Sequence, residues 1–281
     1  METCAGPEQH TLREACAFEG VGLHTGAEAR VRLVPQPPAT GIIFRLDGAV
    51  TFPAHAEYIV DTARATVLGA AGRTVSTVEH LLSALCGMEI DNLLIDVSGP
   101  EIPVADGSAA VFVHAIAQAG RQAQGTPRAE ITVVRPRAYR DGDAVLIVLP
   151  GETWRVRCAV DFPSPVGAQF FDACIDARGY AEDIAPARTF GYLSEVEALR
   201  AKGLARGGSL DNALVFGPQG PLTPLRRANE VVAHKVLDLI GDFALLGGRP
   251  RFDVIALKSG HRLHAQATRD LRASARPGLA S

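Results

Sequence analysis

The stretch Ser76-Thr77-Val78-Glu79-His80-Leu81-Leu82 sets a carboxylate beside an imidazole at the start of an apolar run. A second stretch, Asn229 to Phe243, places His234, Asp238 and Asp242 at steps of four. At 3.6 residues per turn these three spread over only about 80° of a helix surface. A His and an Asp four apart on one face have metal-ligand spacing. A catalytic zinc site takes three nitrogen or oxygen ligands from the protein and keeps a position open for water. His80, His234 and Asp238 would supply that set for one Zn2+ per chain. Glu79, next to a ligand but unable to reach the same coordination position, is then free to take a proton from water acidified by the metal. Calcium or magnesium would require more carboxylates. Amide hydrolysis also needs a proton donor for the leaving nitrogen. His261, in Lys258-Ser259-Gly260-His261, suits that role if Asp242 holds its other ring nitrogen.

Each feature has a plainer reading. Ser76 and Glu79 have the S-x-x-E spacing of a capping box. The His/Asp stripe would serve equally as a solvated helix face, and His261 as an exposed residue at a helix start. His10, His55, His114 and His264 have no partner at ligand spacing and read as surface or packing residues. His24, in GVGLHTG, lies in a glycine-rich turn without the strand and helix that a phosphate-binding loop requires.

These residues need elements to hold them. Val78, Leu81, Leu82 and Leu85 recur at helical spacing, predicting a helix over 76–87. Val232, Val236, Leu239, Ile240 and Phe243 predict a long one over 227–246. Short strands are expected at 29–35, 41–46 and within 51–60, a buried strand at 91–97, and a helix at 107–119 that ends at Gly120. Residues 121–128, RQAQGTPR, read as a polar linker. Strands follow at 130–135, 144–149, 153–161, 168–174 and 251–258, with a last helix at 261–273 and a polar tail, ASARPGLAS. Residues 186–216 look like a βαβ insertion. Helix, strand, helix closes each half, which predicts an α+β protein of two similar domains, 1–125 and 126–281.

Composition narrows the class. Hydrophobic residues make up 47% and charged residues 21% of 281, which suits a globular enzyme and argues against disorder. A net charge of −3 carries no nucleic-acid field. The cysteines, Cys4, Cys16, Cys86, Cys158 and Cys174, are odd in number and widely spaced, which favours a reducing compartment over a disulfide framework. Neither a signal peptide nor a transmembrane run is readable. A cytoplasmic, soluble protein is expected.

GVGLHTG (20–26), STVEHLLSAL (76–85), IDNLLIDVSGPEIPVADGSA (90–109), ARTFGY (187–192), GGSLDNALV (207–215), HKVLDLIGD (234–242) and KSGH (258–261), in this order, resemble the UDP-3-O-acyl-N-acetylglucosamine deacetylases. The resemblance implies a zinc amidase catalysing the committed step of lipid A biosynthesis, with zinc between the helix layers of two α+β domains. Carried over residue by residue, it makes His80, His234 and Asp238 the ligands, Glu79 the base and His261 the acid with Asp242 as its partner. It also implies Thr189 as a hydroxyl donor to the oxyanion. Phe190, Lys235, Lys258, Phe162 and Tyr192 become the wall for the sugar nucleotide, and Val196, Ala205, Leu210, Ala213 and Val215 line an acyl-chain passage. Arg64 and Arg206 depart from an apolar pattern, which bears on acyl length and on whether the substrate must be acylated. Ala65 replaces a cysteine of some members, which speaks against a second, inhibitory zinc. The implied partner is a small acylated UDP-amino sugar, bound by a monomer. The competing readings are a deacetylase of another N-acetylated sugar nucleotide and a non-catalytic lipid or sugar-nucleotide binder on the same fold. The intact set of ligands, base and acid disfavours a binder.

Overall fold

The structure, a computed structural model, describes residues 7–274. Its first half runs β1 (Glu8–Leu12), β2 (Cys16–Val21), β3 (Glu28–Pro35), β4 (Ile42–Leu46), β5 (Val50–Pro53), β6 (Ile59–Asp61), β7 (Val67–Ala70), β8 (Arg73–Val75), α1 (Glu79–Gly87), β9 (Leu93–Ser98), α2 (Ala110–Ala119) and β10 (Arg121–Pro127). The second half runs β11 (Glu130–Thr132), β12 (Arg137–Asp141), β13 (Ala144–Pro150), β14 (Arg155–Phe162), β15 (Gly167–Cys174), α3 (Ala177–Gly179), β16 (Phe190–Tyr192), α4 (Leu193–Ala201), β17 (Leu214–Gly217), β18 (Gly220–Pro221), α5 (Glu230–Ala244), β19 (Arg249–Leu257) and α6 (His261–Ser274).

Each half builds a twisted sheet around one central strand, the one that follows α1 in the first half and α5 in the second. The first sheet has the order β2-β3-β9-β4-β5 and the second β12-β13-β19-β14-β15. β9 runs parallel to β4 and antiparallel to β3, as β19 runs parallel to β14 and antiparallel to β13. Period-2 alternation explains which face is covered. In β3, Ala29, Val31 and Leu33 are buried between exposed neighbours, and in β9, Leu93, Ile95 and Val97 are buried. Helices α1 and α2 cover the first sheet's half, α5 and α6 the second's, and α1 packs on α5. The fold is α+β with two similar domains whose helix layers meet.

That meeting needs glycine. A Cβ on Gly241 of α5 would lie 2.1 Å from the carbonyl oxygen of Glu79, so the two helices touch backbone to backbone where the candidate base begins α1. Fully buried Phe112, Phe243 and Phe252 fill the layers, at about 1.5–3 kcal/mol each from burial.

Several expectations need correcting. Residues 121–127 form strand β10, paired antiparallel with β1, rather than a linker. Their polarity reflects a strand exposed along most of its length, while its partner β1 is partly or fully buried. Strand β12 has no counterpart among the strands that the sequence predicts. It is an edge strand with only Tyr139 buried, so it lacks an apolar pattern. Residues 51–60 break after Pro53 into a 3-10 turn, Ala56–Tyr58, before β6. The insertion does form a parallel pair, β16 with β17, across α4. Most of the polar tail lies outside the described residues. Among those described, no helix is long and apolar enough to cross a membrane.

Candidate metal centre and active site

The start of α1 is shaped by Glu101. This carboxylate is buried and accepts from the backbone N–H groups of His24 (3.0 Å) and Thr25 (2.8 Å). It also accepts from the hydroxyls of Thr25 (2.7 Å) and Thr77 (2.7 Å). The GVGLHTG turn therefore wraps a carboxylate of the chain itself. Thr77 is held at φ +57°, a conformation disfavoured for a β-branched residue. The left-handed turn prevents the capping box. Val78 is the N-cap without a side-chain bond, and the Ser76 hydroxyl reaches Pro100 O instead. Glu79 points inward, and its carboxylate accepts the Thr66 N–H at 3.0 Å.

Helix α5 turns its polar stripe to the same place. His234, Asp238 and Asp242 are 3%, 3% and 1% exposed, so the stripe is not a solvated face. His80 Nε2 lies 3.7 Å and His234 Nε2 3.4 Å from Asp238 Oδ1. Ligands bonded at about 2.0–2.1 Å to a tetrahedral cation stand roughly 3.3–3.4 Å apart, so the three donors fit a metal after slight contraction. Asp238 Oδ1 is buried with no hydrogen-bond partner among the described residues, an orphaned acceptor that a cation would satisfy. Its Oδ2 accepts from Lys235 Nζ at 2.6 Å. His234 directs Nδ1–H to the Ala187 carbonyl (3.0 Å), which leaves the Nε2 lone pair facing the other donors.

Burial pushes the His80 pKa down to about 3 and lowers that of His234, keeping both rings neutral as ligands must be. Burial opposes the charge on Asp238, but Lys235 and the surrounding imidazoles hold it well below the usual carboxylate range. Glu79 goes the other way, raised to about 7, chiefly by burial.

His261 completes the group. Its Nδ1 is 2.8 Å from Asp242 Oδ2, and its Nε2 stands 3.9 Å from both Glu79 Oε1 and Asp238 Oδ2. Burial disfavours the imidazolium, yet Asp242, with Glu79 and Asp238 behind it, holds its pKa up to about 9. Asp242 also accepts from His264 Nδ1 at 2.8 Å and from the Thr66 hydroxyl. Burial works against its carboxylate, which His261 and His264 nevertheless hold down to about 2. Asp242, His261 and His264 converge closely enough to suggest a second metal group. However, both Nδ1 atoms stand at N–H···O distance from one oxygen, the geometry of two shared protons.

A cavity of about 610 Å³ opens over these groups. Glu79, His80, His234, Asp238, His261 and Thr189 lie along it, with Phe162, Phe190, Tyr192 and Lys235 as its wall. Val196, Ala205, Leu210, Ala213 and Val215 line its extension under α4. The Phe190 ring meets Phe162 edge-on at 5.0 Å and His234 at 6.2 Å, so it packs on the His234 ring as well as facing the cavity. Lys258 is the expected residue the lining lacks. Its ammonium pairs with Asp161 (2.9 Å) and Asp143 (3.4 Å). Of the two polar departures, Arg64 lines the cavity and faces Glu195 at 3.6 Å, whereas Arg206 does not line it.

Thr66 and Glu101 carry no local signal in the sequence, and His264 reads there as a surface or packing residue. His264 is not an idle packing residue: 1% exposed, it is bonded at both ring nitrogens. The i,i+3 spacing of His261 and His264 was the available signal, since such residues share a helix face.

The family model for UDP-3-O-acyl N-acetylglycosamine deacetylase matches residues 9–273. A protein of Myxococcus xanthus named UDP-3-O-acyl-N-acetylglucosamine deacetylase is 45% identical over 267 residues, covering 93% of this chain and 85% of its own length. Proteins of the same name from Syntrophotalea carbinolica and Nostoc sp. are 43% and 44% identical, covering 95% and 92% of this chain and 88% and 96% of theirs.

Proposed function

The chain belongs to the UDP-3-O-acyl N-acetylglycosamine deacetylase family, and from that premise we propose a role for each buried group over the α1–α5 contact. The reaction is hydrolysis of the N-acetyl amide of UDP-3-O-acyl-N-acetylglucosamine in lipid A biosynthesis, releasing acetate and a free amine. The family is one of metalloenzymes, and His80, His234 and Asp238 form a metal-binding group. We assign them as the ligands of one Zn2+. When bound, the ion would acidify a water and polarise the amide carbonyl.

The chain's own groups carry the protons. Glu79, held by the Thr66 N–H and raised toward neutrality by burial, accepts a proton from the attacking water. His261, charged through its bond to Asp242, donates from Nε2 to the leaving nitrogen as the C–N bond breaks. Thr189 offers a hydroxyl to the oxygen that gains charge at the tetrahedral carbon. Its main chain is pinned on both sides, N–H to Gly107 O (2.7 Å) and C=O from Leu214 N–H (2.8 Å). Phe162, Phe190, Tyr192 and Lys235 face the sugar nucleotide, and the apolar extension takes the acyl chain. Lys258, tied to two aspartates outside the lining, has at most an indirect part. A domain division at 125/126, close to the end of β10, a cytoplasmic location and a monomeric state complete this reading.

The orphaned Asp238 Oδ1, flanked by two neutral imidazoles with Glu79 alongside, is the observation that carries it. Zinc content measured beside acetate release, with UDP-N-acetylglucosamine bearing or lacking a 3-O-acyl chain, tests it. Stoichiometric zinc and turnover restricted to the acylated substrate are expected. Full turnover after complete metal removal would refute the metal assignment.

A further inference from the structure

His261 and His264 present their Nδ1 atoms to the same oxygen, Asp242 Oδ2, each at 2.8 Å, while Thr66 donates to Oδ1. We propose that His264 is a positioning residue of the deacetylation, fixing the Asp242 carboxylate against which the proton donor His261 is oriented. This inference rests on the reading of His261 as that donor.

A carboxylate bonded only to His261 and Thr66 could swing about its Cβ–Cγ bond and carry the His261 ring with it. A third donor from a different direction removes that freedom. His264 is itself immobilised at its far end. Ser259 Oγ lies 2.8 Å from His264 Nε2, and its hydroxyl donates there, which leaves the ring proton on Nδ1, pointed at Asp242. Ser259 thus donates to His264 and His264 to Asp242, and the carboxylate accepts the His261 Nδ1–H from the other side. Burial lowers the pKa of His264. The ring therefore supplies a hydrogen bond without a second positive charge to compete with His261.

Side-chain geometry supplies the test. An Asn amide nitrogen stands where the imidazole Nδ1 stands, two bonds from Cβ, and a Gln amide stands nearer the Nε2 position. His264→Leu should lower kcat by about 10- to 100-fold with KM and bound metal little changed. His264→Asn should recover most of the loss and His264→Gln should not. In an Asp242→Ala background, His264→Leu should cause no further loss, because the two act through one group. Should the Leu variant fail to fold, the Asn and Gln pair decides. Equal rates in those two, a Gln variant better than Asn, or losses that multiply with Asp242→Ala would overturn the positioning role. His261→Ala is assayed in parallel. A wild-type rate there would refute the proton-donor reading itself, whereas a slow His261→Ala beside a fully active His264→Leu would refute only the role of His264.

Discussion

The two sheets share one strand order, β2-β3-β9-β4-β5 against β12-β13-β19-β14-β15, and each half inserts extra strands at the same point, between β5 and α1 in the first and between β15 and α5 in the second. Equal scaffolds nevertheless carry unequal chemistry. On the proposed assignment, helix α1 gives one ligand and the base, while α5 gives two ligands and Asp242. The sharpest contrast lies just past the central strands. After β9 comes Glu101, whose carboxylate is consumed by four donors from the chain, and after β19 comes His261, whose Nε2 is left facing the cavity. The same place in the architecture thus serves as a brace in one half and, on the proposed reading, as a proton donor in the other. Neither half holds a complete site, so function depends on the α1–α5 contact.

The strongest way to break this comparison is to remove a ligand from either side. His80→Ala in the first half and Asp238→Ala in the second should each abolish bound metal and acetate release together, since three protein ligands are needed. Metal analysis and turnover on the same preparation check it. Stoichiometric metal with normal turnover in either variant would mean that the two helices do not share one ion.

Next in size is the base. Glu79→Gln keeps the side chain's volume and its acceptance of the Thr66 N–H but cannot take a proton. Turnover should fall by about 10² to 10⁴ with metal retained. The pH profile separates the two halves' contributions. Glu79, raised to about 7, must be ionised, so activity is lost as pH falls through its pKa. His261, held at about 9, must be protonated, so activity is lost as pH rises through its pKa. The profile should be a bell whose limits belong to coupled groups, and a bound cation beside Glu79 moves the acid limb lower. His261→Ala should weaken the alkaline limb and lower turnover. A profile that keeps both limbs in that variant would remove His261 from the proton transfer.

A smaller effect probes the contact itself. Ala is the better helix former by about 1 kcal/mol, but a Cβ on Gly241 would sit 2.1 Å from a backbone oxygen that cannot step aside. Gly241→Ala should therefore destabilise by a net 1–3 kcal/mol or so, the usual penalty of overpacking, and displace Glu79 enough to lower kcat. Gly87→Ala, at the other end of α1, meets the Tyr180 ring at 2.3 Å. It should lower the melting temperature comparably and leave kcat nearer wild type, because Glu79 is about 12 Å away along the helix. Equal kcat losses in both would show that the whole interface, not its Glu79 end, tunes the site.

The sequence was most legible where burial imposes a pattern. The apolar face of α5 and the runs of β9 and β19 were readable, and so was the stripe of His234, Asp238 and Asp242, because spacing on a helix is local information. Most failures share a cause, which is dependence on partners distant in sequence. Ser76 and Glu79 match a capping box, but Thr77 is turned left-handed by Glu101, 24 residues on. His264 looked idle because its partner Asp242 lies 22 residues back, on another helix. Strands β10 and β12 face solvent along most of their length and so carry no apolar code. Lys258 matched a motif, but Asp143 and Asp161, which hold its charge, lie on or beside strands of the second sheet.

The smallest expected effect lies where the two insertions face each other over the cavity. Arg64, in the loop between β6 and β7, is paired at 3.6 Å with Glu195 of α4, and the side chains are 57% and 48% exposed. Such a pair contributes about 0–1 kcal/mol, so Arg64→Leu should move the melting temperature by no more than about 2 °C. The backbone there has φ +73°, which Leu tolerates no better than Arg, so strain does not alter the balance. What changes is the lining. Arg64 borders the cavity beside the apolar extension, so replacing its guanidinium with a branched alkyl group should favour substrates with a longer 3-O-acyl chain. Because the side chain touches none of the reacting groups, the gain should appear as a lower KM for the longer chain at unchanged kcat, by a few-fold. Kinetics on a series of acyl lengths would read it directly. A change confined to kcat and equal across all lengths would tie Arg64 to the proton-transfer groups instead, whereas no length dependence would place the acyl chain away from the meeting point of the two insertions.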